Sequence, residues 1–209
     1  MALFRESETI FTLRKPDRPA VEAFLAAERR KPFTYPEVGA THPDQSYHLP
    51  ELRQRYRVLH HRLRLGGGSD VFARARQAIS AWRMFDLDWV RLCWPETPIV
   101  AGNIVAVLGE AMGVWSINGC RIVYVLDEND ADRRRFGFAY GTTPRHAIVG
   151  EERMLVEWQR QDDSVWYDLH AFSRKSHLLA KVGAFHLHHL QQRFARESHL
   201  AMLRAVADH

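Results

Sequence analysis

Lysine is scarce in this chain of 209 residues. It stands only at Lys15, Lys31, Lys175 and Lys181, so arginine supplies the other 25 of the 29 basic residues. Cysteine occurs twice, proline nine times and glycine twelve times. Those shortages exclude a disulfide scaffold, a collagen-like repeat and a Pro/Gly-rich disordered chain. Long hydrophobic runs are missing too. The most apolar window, residues 99–117, is broken by Asn103 and Glu110, and a membrane-spanning helix is excluded. The phosphate-cradling GxxxxGKS/T and GxGxxG loops, the GxSxG nucleophile elbow and the zinc-binding HExxH are also absent. The sequence therefore implies no nucleotide, metal or other cofactor and none of the commonest covalent hydrolase mechanisms.

What is present suits a packed core: 46% hydrophobic and 11% aromatic residues, with 26% charged. The formal charge is only +4, and twelve histidines add a titratable reserve. Cys93 and Cys120 sit in apolar stretches with no secretory leader before them, which points to a reducing cytoplasm.

Asp17 and Pro19 mark the start of a short helix, and prolines 32, 36, 43 and 50 punctuate a following loop. Residues 1–55 are thus expected to form a helical and loop extension on a single main domain, residues 56–209. From Tyr56, Leu59, His61, Leu63 and Leu65 alternate with basic residues and run into Gly66-Gly67-Gly68, a strand with a turn. Ser69 or Asp70 then caps a helix carrying Phe72, Ala75, Ile79 and Trp82. Strand-like stretches follow at 89–94, 103–108, 112–117, 121–126, 136–142, 151–158 and 165–172, with short acidic turns favouring antiparallel hairpins. Residues 176–207 lack proline and favour a helix of roughly 30 residues. The predicted fold class is α+β: a curved antiparallel sheet gripping a long C-terminal helix, with a cavity between them.

The motifs Gly137-Phe138-Ala139-Tyr140-Gly141-Thr142, Gly150-Glu151-Glu152-Arg153 and Ala171-Phe172-Ser173-Arg174 resemble uncharacterised protein family 0548. So do Thr34 to Thr41, Trp82-Arg83-Met84-Phe85, Cys120-Arg121 and Gln192-Arg193-Phe194, so the likeness runs from about Phe11 to Arg196. It implies the START-like, helix-grip superfamily, whose commonest use is binding hydrophobic ligands. It implies no particular activity. The chain departs from the pattern in having Lys175 where proline is expected, and in its histidine cluster at 186–189.

Alternate residues of a strand share a face. That rule groups Tyr140 and Thr142 with Phe136 and Phe138, Glu152 with Met154 and Val156, and Tyr167 and Ser173 with Leu169 and Ala171. These five polar groups are the candidate anchors of an otherwise apolar pocket, or else they complete hydrogen bonds within the core. A lone carboxylate on such a face needs a partner. Arg121 is the expected one, leaving Glu152 as half of a structural ion pair, a ligand anchor or an acid/base group. On the terminal helix, His186, His189 and Arg193 fall inside the apolar sector, where they either reach the cavity or bond to the sheet as core groups, whereas Gln191 and Gln192 fall outside it.

The favoured reading is a non-catalytic or weakly catalytic protein holding a hydrophobic or amphipathic small molecule. The alternatives are a cyclase, isomerase or hydrolase using Glu152 and Arg121 with Tyr140 or His186, and an Arg-rich binder of nucleic acid or anionic membrane centred on Arg53, Arg55, Arg57, Arg62 and Arg64. Acidic residues beside most other arginines disfavour nucleic acid.

Overall fold

The computed structural model describes residues 11–176 and 185–207, with the side chains of 46–49 and 185–188 outside that description. Two residues, Phe11–Thr12 (β1), precede the first helix, Arg18–Glu28 (α1). Asp17 caps α1, its carboxylate accepting from the Ala20 amide at 3.0 Å, as the sequence indicates. The proline-punctuated segment contains a 3-10 helix, Pro43–His48, that leads into an α-helix, Leu49–Arg55 (α2). The alternating stretch becomes Arg57–Gly67 (β2), and Ser69–Ser80 (α3) follows it. Gly68, with φ +89°, occupies the cap position of α3 without a side-chain bond, so neither Ser69 nor Asp70 is the cap.

The sheet continues through Val90–Cys93 (β3), Ile104–Ala111 (β4), Val114–Asn129 (β5), Arg133–Thr142 (β6), Ile148–Gln159 (β7) and Ser164–Lys175 (β8). The stretches 112–117 and 121–126 are one strand of 16 residues, β5, with a bulge between Ile122 and Tyr124. Every pairing is antiparallel, in the order β2-β8-β7-β6-β5-β4-β3, and β1 pairs with β5 off this path. The chain ends in Phe185–Ala207 (α4), 23 residues or about 35 Å long. This is an open antiparallel sheet closed on its inner face by the C-terminal helix, the helix-grip arrangement.

Phe72, Ala75 and Ile79 of α3, Met202 and Val206 of α4, and Phe138, Met154, Val156 and Tyr167 of the sheet share the main core. Burying each large side chain contributes about 1.5–3 kcal/mol. The outer face is covered as well. Val21 and Phe24 of α1 pack on Ala106, Leu108 and Ile117, while Tyr35 packs edge-on against Phe172. Both faces of the middle strands are therefore covered over part of their length, and burial alone does not tell an inward residue from an outward one.

Candidate ligand cavity

Between the inner face and α4 lies a cavity of about 190 Å³. Phe85, in the turn after α3, forms part of its wall and stands 5.3 Å from Phe194 of α4. Leu59, Val107, Ile148 and Leu190 add aliphatic surface, and Trp89 adds aromatic surface.

Four of the nine residues singled out from the sequence line this cavity: Tyr140, Thr142, Glu152 and Ser173. Tyr140 and Glu152 are register partners on β6 and β7, and the phenol donates to Glu152 Oε2 at 2.5 Å. Burial pushes the Glu152 carboxyl up to about 7, partly opposed by that hydrogen bond. Burial and the neighbouring Glu152 charge hold the Tyr140 phenol well above its usual range. Thr142 is already engaged, with Thr34 Oγ1 at 2.6 Å and as acceptor for the Gly150 amide at 3.0 Å. Ser173 accepts from Gln191 Nε2 at 2.8 Å.

The other expectations need correction. Arg121 does not meet Glu152. It pairs in register with Gly141, which pairs with Glu151, so it shares the outer-face row rather than the inner one. Its guanidinium instead donates to the carbonyls of Glu28 at 3.1 Å and Arg29 at 3.0 Å, closing the C-terminal end of α1, and it lies over the Phe33 ring. Tyr167 is packed away from the cavity, its hydroxyl 2.9 Å from Ser198 Oγ, and ties β8 to α4. His189 is exposed, and Arg193 turns along the helix surface to Glu197 at 2.7 Å and over Trp89. The side chain of His186 lies outside the described residues.

These helix errors have one cause. The buried stripe of α4 runs through Ala195, Ser198, Ala201 and Met202, the first three small residues that let the helix approach the sheet. Leu190 and Phe194 do face the cavity, but the inward sector extends from them through Gln191, which reaches Ser173, and not through His189 and Arg193.

Sequence reading also missed groups that line the cavity: Ser116, Asn118, Cys120 and His146. His146 follows β6 in a loop, where parity says nothing. Its Nδ1 accepts from the Ile148 amide at 2.9 Å, which places its proton on Nε2, and burial lowers its pKa to about 4. Burial raises the Cys120 thiol, so it is a poor nucleophile.

The outer face carries its own polar network. Glu151, 2% exposed, accepts from the Tyr35 hydroxyl at 2.8 Å, the Gly39 amide at 2.8 Å, the Thr41 amide at 3.0 Å and the Thr41 hydroxyl. Arg153 pairs with Asp168 at 2.5 Å and donates to the Thr41 carbonyl at 2.7 Å, and His60 meets the other Asp168 oxygen at 2.8 Å. His42, Asp44 and Glu128 bring three donor atoms within 4.8 Å of one another. The Arg135 guanidinium already stands 2.5 Å from Glu128 and 3.8 Å from Asp44, so the cluster is an ion-pair network around an arginine. Arg135 is 4% exposed. Within the basic group on α2 and β2, two of the five arginines are neutralised: Arg55 pairs with Glu37, and Arg62 with Glu157.

Fold and cavity together define a helix-grip protein with a largely apolar site between sheet and helix. Residues 34–201 match the family described as "Domain of unknown function (DUF1990)", and the chain belongs to it. The UPF0548 protein of Dictyostelium discoideum is 31% identical over 207 residues, covering 94% of this chain and 96% of that one. The UPF0548 protein of Deinococcus radiodurans is 33% identical over 208 residues, covering 94% and 99%. Among solved structures, Ara h 8.0201 matches with a TM-score of 0.48 and 8% identity, covering 74% of this chain and 99% of that chain. No helix among the described residues is long and apolar enough to cross a membrane.

Proposed function

We propose that this protein binds a small hydrophobic or amphipathic molecule in the cavity between the sheet and α4, with Glu152 and Tyr140 at the polar end. The observation that carries this reading is a cavity of about 190 Å³ with mostly apolar walls and a carboxyl whose partner is Tyr140. A comparable engineered cavity of about 150 Å³ stays dry and takes up benzene, so the space suits one aromatic ring with a short substituent.

The test is gentle purification followed by mass spectrometry of the intact complex, for the native protein and for Val107→Phe, which fills the cavity from β4. A bound mass present in the first and lost in the second is expected. Retention of the same mass by the filled variant places the ligand elsewhere and overturns the reading.

A second reading has specific support: a carboxyl titrating near pH 7 beside a phenol is suited to proton transfer. On that reading Glu152 is the acid/base group and Tyr140 its hydrogen-bond donor, without Arg121. A turnover profile with an inflection near pH 7 that Glu152→Gln abolishes is the expected signature.

A further inference from the structure

The charges of the cavity are one-sided. Among the described residues that line it there is no lysine or arginine, although the chain has 29 of them. Among the described residues Glu152 is the one whose carboxyl faces it; Glu151 lines it from the adjacent position, with its carboxylate turned to the outer face. Glu151 is saturated by four donors from the outer-face loop. Glu152 has Tyr140 as its one partner among the described residues, and that contact uses Oε2 only. His146 supplies no compensating charge, because its Nδ1 is held as an acceptor and burial keeps the ring neutral. The rings of Phe85, Trp89, Tyr140 and Phe194 line the same cavity.

A carboxyl facing an apolar cavity with aromatic walls, and with no counter-ion among the described residues, is a receptor for a cation. An anionic ligand would set a second negative charge beside it. A neutral ligand would leave the carboxyl holding its proton and gain nothing from ionising it. An ammonium supplies the missing charge, donates to the free oxygen and meets the negative faces of the rings.

We infer that the cavity is selective for a small aromatic amine, its ammonium held by Glu152 Oε1 and its ring packed between Phe85, Trp89 and Phe194. The inference rests on reading the cavity as a ligand site and adds the ligand's charge. Binding then couples to a proton: below pH 7 the amine must displace the proton of Glu152, so its affinity rises with pH and levels off above that value.

The experiment compares 2-phenylethylamine, 2-phenylethanol and 3-phenylpropionate, three probes with one ring and different charge, by titration calorimetry on the whole protein at pH 5.5 and pH 8. At pH 8 the amine is expected to bind at least about tenfold more tightly than the alcohol, with the acid weakest. Glu152→Gln keeps the volume and an acceptor for Tyr140, and it should bring amine and alcohol within about threefold of each other. Should that variant fail to fold, the native protein still decides: repeating the pH 5.5 titration in buffers of different ionisation enthalpy should reveal close to one proton released per amine bound and none per alcohol. Equal binding of amine and alcohol without proton release overturns the amine inference and leaves the cavity reading standing. Tightest binding by the acid does the same. Failure of all three probes to bind overturns both.

Discussion

Glu151 and Glu152 are adjacent in sequence, and their carboxyls lie on opposite faces of β7. One is clamped by Tyr35, Gly39 and Thr41 on the outer face, and the other meets Tyr140 beside the cavity. Two identical groups thus take opposite roles, an anchor for the N-terminal loop and the polar end of a pocket.

Replacing Glu151 by Gln removes a charge that satisfies four donors at once. A loss of about 3 kcal/mol is expected in urea unfolding, because several charge-assisted bonds weaken together. Limited proteolysis should then cut first between residues 33 and 45. An unchanged midpoint with an unchanged cleavage map counts against the anchoring role.

Glu152→Gln should act in the reverse direction. The folded-state pKa of Glu152 is raised, from an ordinary 4.5 to about 7, so the folded state binds the extra proton and native stability falls as pH rises through that window. The variant lacks this penalty. It should be more stable than the native protein by about 3 kcal/mol at pH 8, with the advantage vanishing near pH 4. Chemical denaturation at the two pH values measures it.

His146 and His170 give the opposite slope. Burial, the larger cause in both, lowers each to about 4 from 6.5, so both stay neutral while the unfolded chain takes up protons. Stability conferred above pH 6.5 is lost as pH falls toward 4, by roughly 3 kcal/mol apiece. Thermal unfolding of His146→Asn, which keeps a polar group without titrating, should have a shallower acid limb than the native protein.

Asp168 sits between Arg153 and His60. Burial works to raise its pKa, but the bonds from His60 and Arg153 outweigh burial and hold the carboxyl at about 2. The stability it confers is present above pH 3.8 and lost as pH falls from 3.8 to 2. At pH 7, Asp168→Asn leaves the 6%-exposed Arg153 without its counter-charge and should cost about 3–5 kcal/mol. Equilibrium unfolding checks the figure.

Gly141 is required by the same loop. A Cβ there would come within 1.9 Å of the Tyr35 hydroxyl, whereas the backbone alone lets that ring reach Glu151. Gly141→Ala should destabilise by about 3 kcal/mol, and by much less in a Tyr35→Leu background, a coupling that a double-mutant cycle reads directly.

The architecture was open to sequence reading because periodicity is a local property. Alternation in Leu59 to Leu65, the acidic turn at 127–130 and the proline-free tail placed β2, the β5–β6 hairpin and α4. Parity likewise put Tyr140, Thr142, Glu152 and Ser173 on the inner face. It failed for Arg121 because both faces of β5 are covered, one by α4 and the core, the other by α1, so an unexposed position was mistaken for an inward one. It failed for Arg193 and His189 because small residues, carrying little hydropathy, form the contacting stripe of α4. His146 lay beyond its reach, since a loop has no period.

The sequence by itself determined the order of elements, the family motifs and which strand faces are apolar, since these follow from neighbouring residues and the geometry of strand and helix. Only the tertiary structure decided which charge meets which. The register of β6 on β7 joins Glu152 to Tyr140, the packing of α1 claims Arg121, and the loop from Phe33 to Thr41 folds back to occupy Glu151. Those pairings span up to 116 residues of chain, and their partners are chosen by how the layers close over one another, which no local pattern encodes.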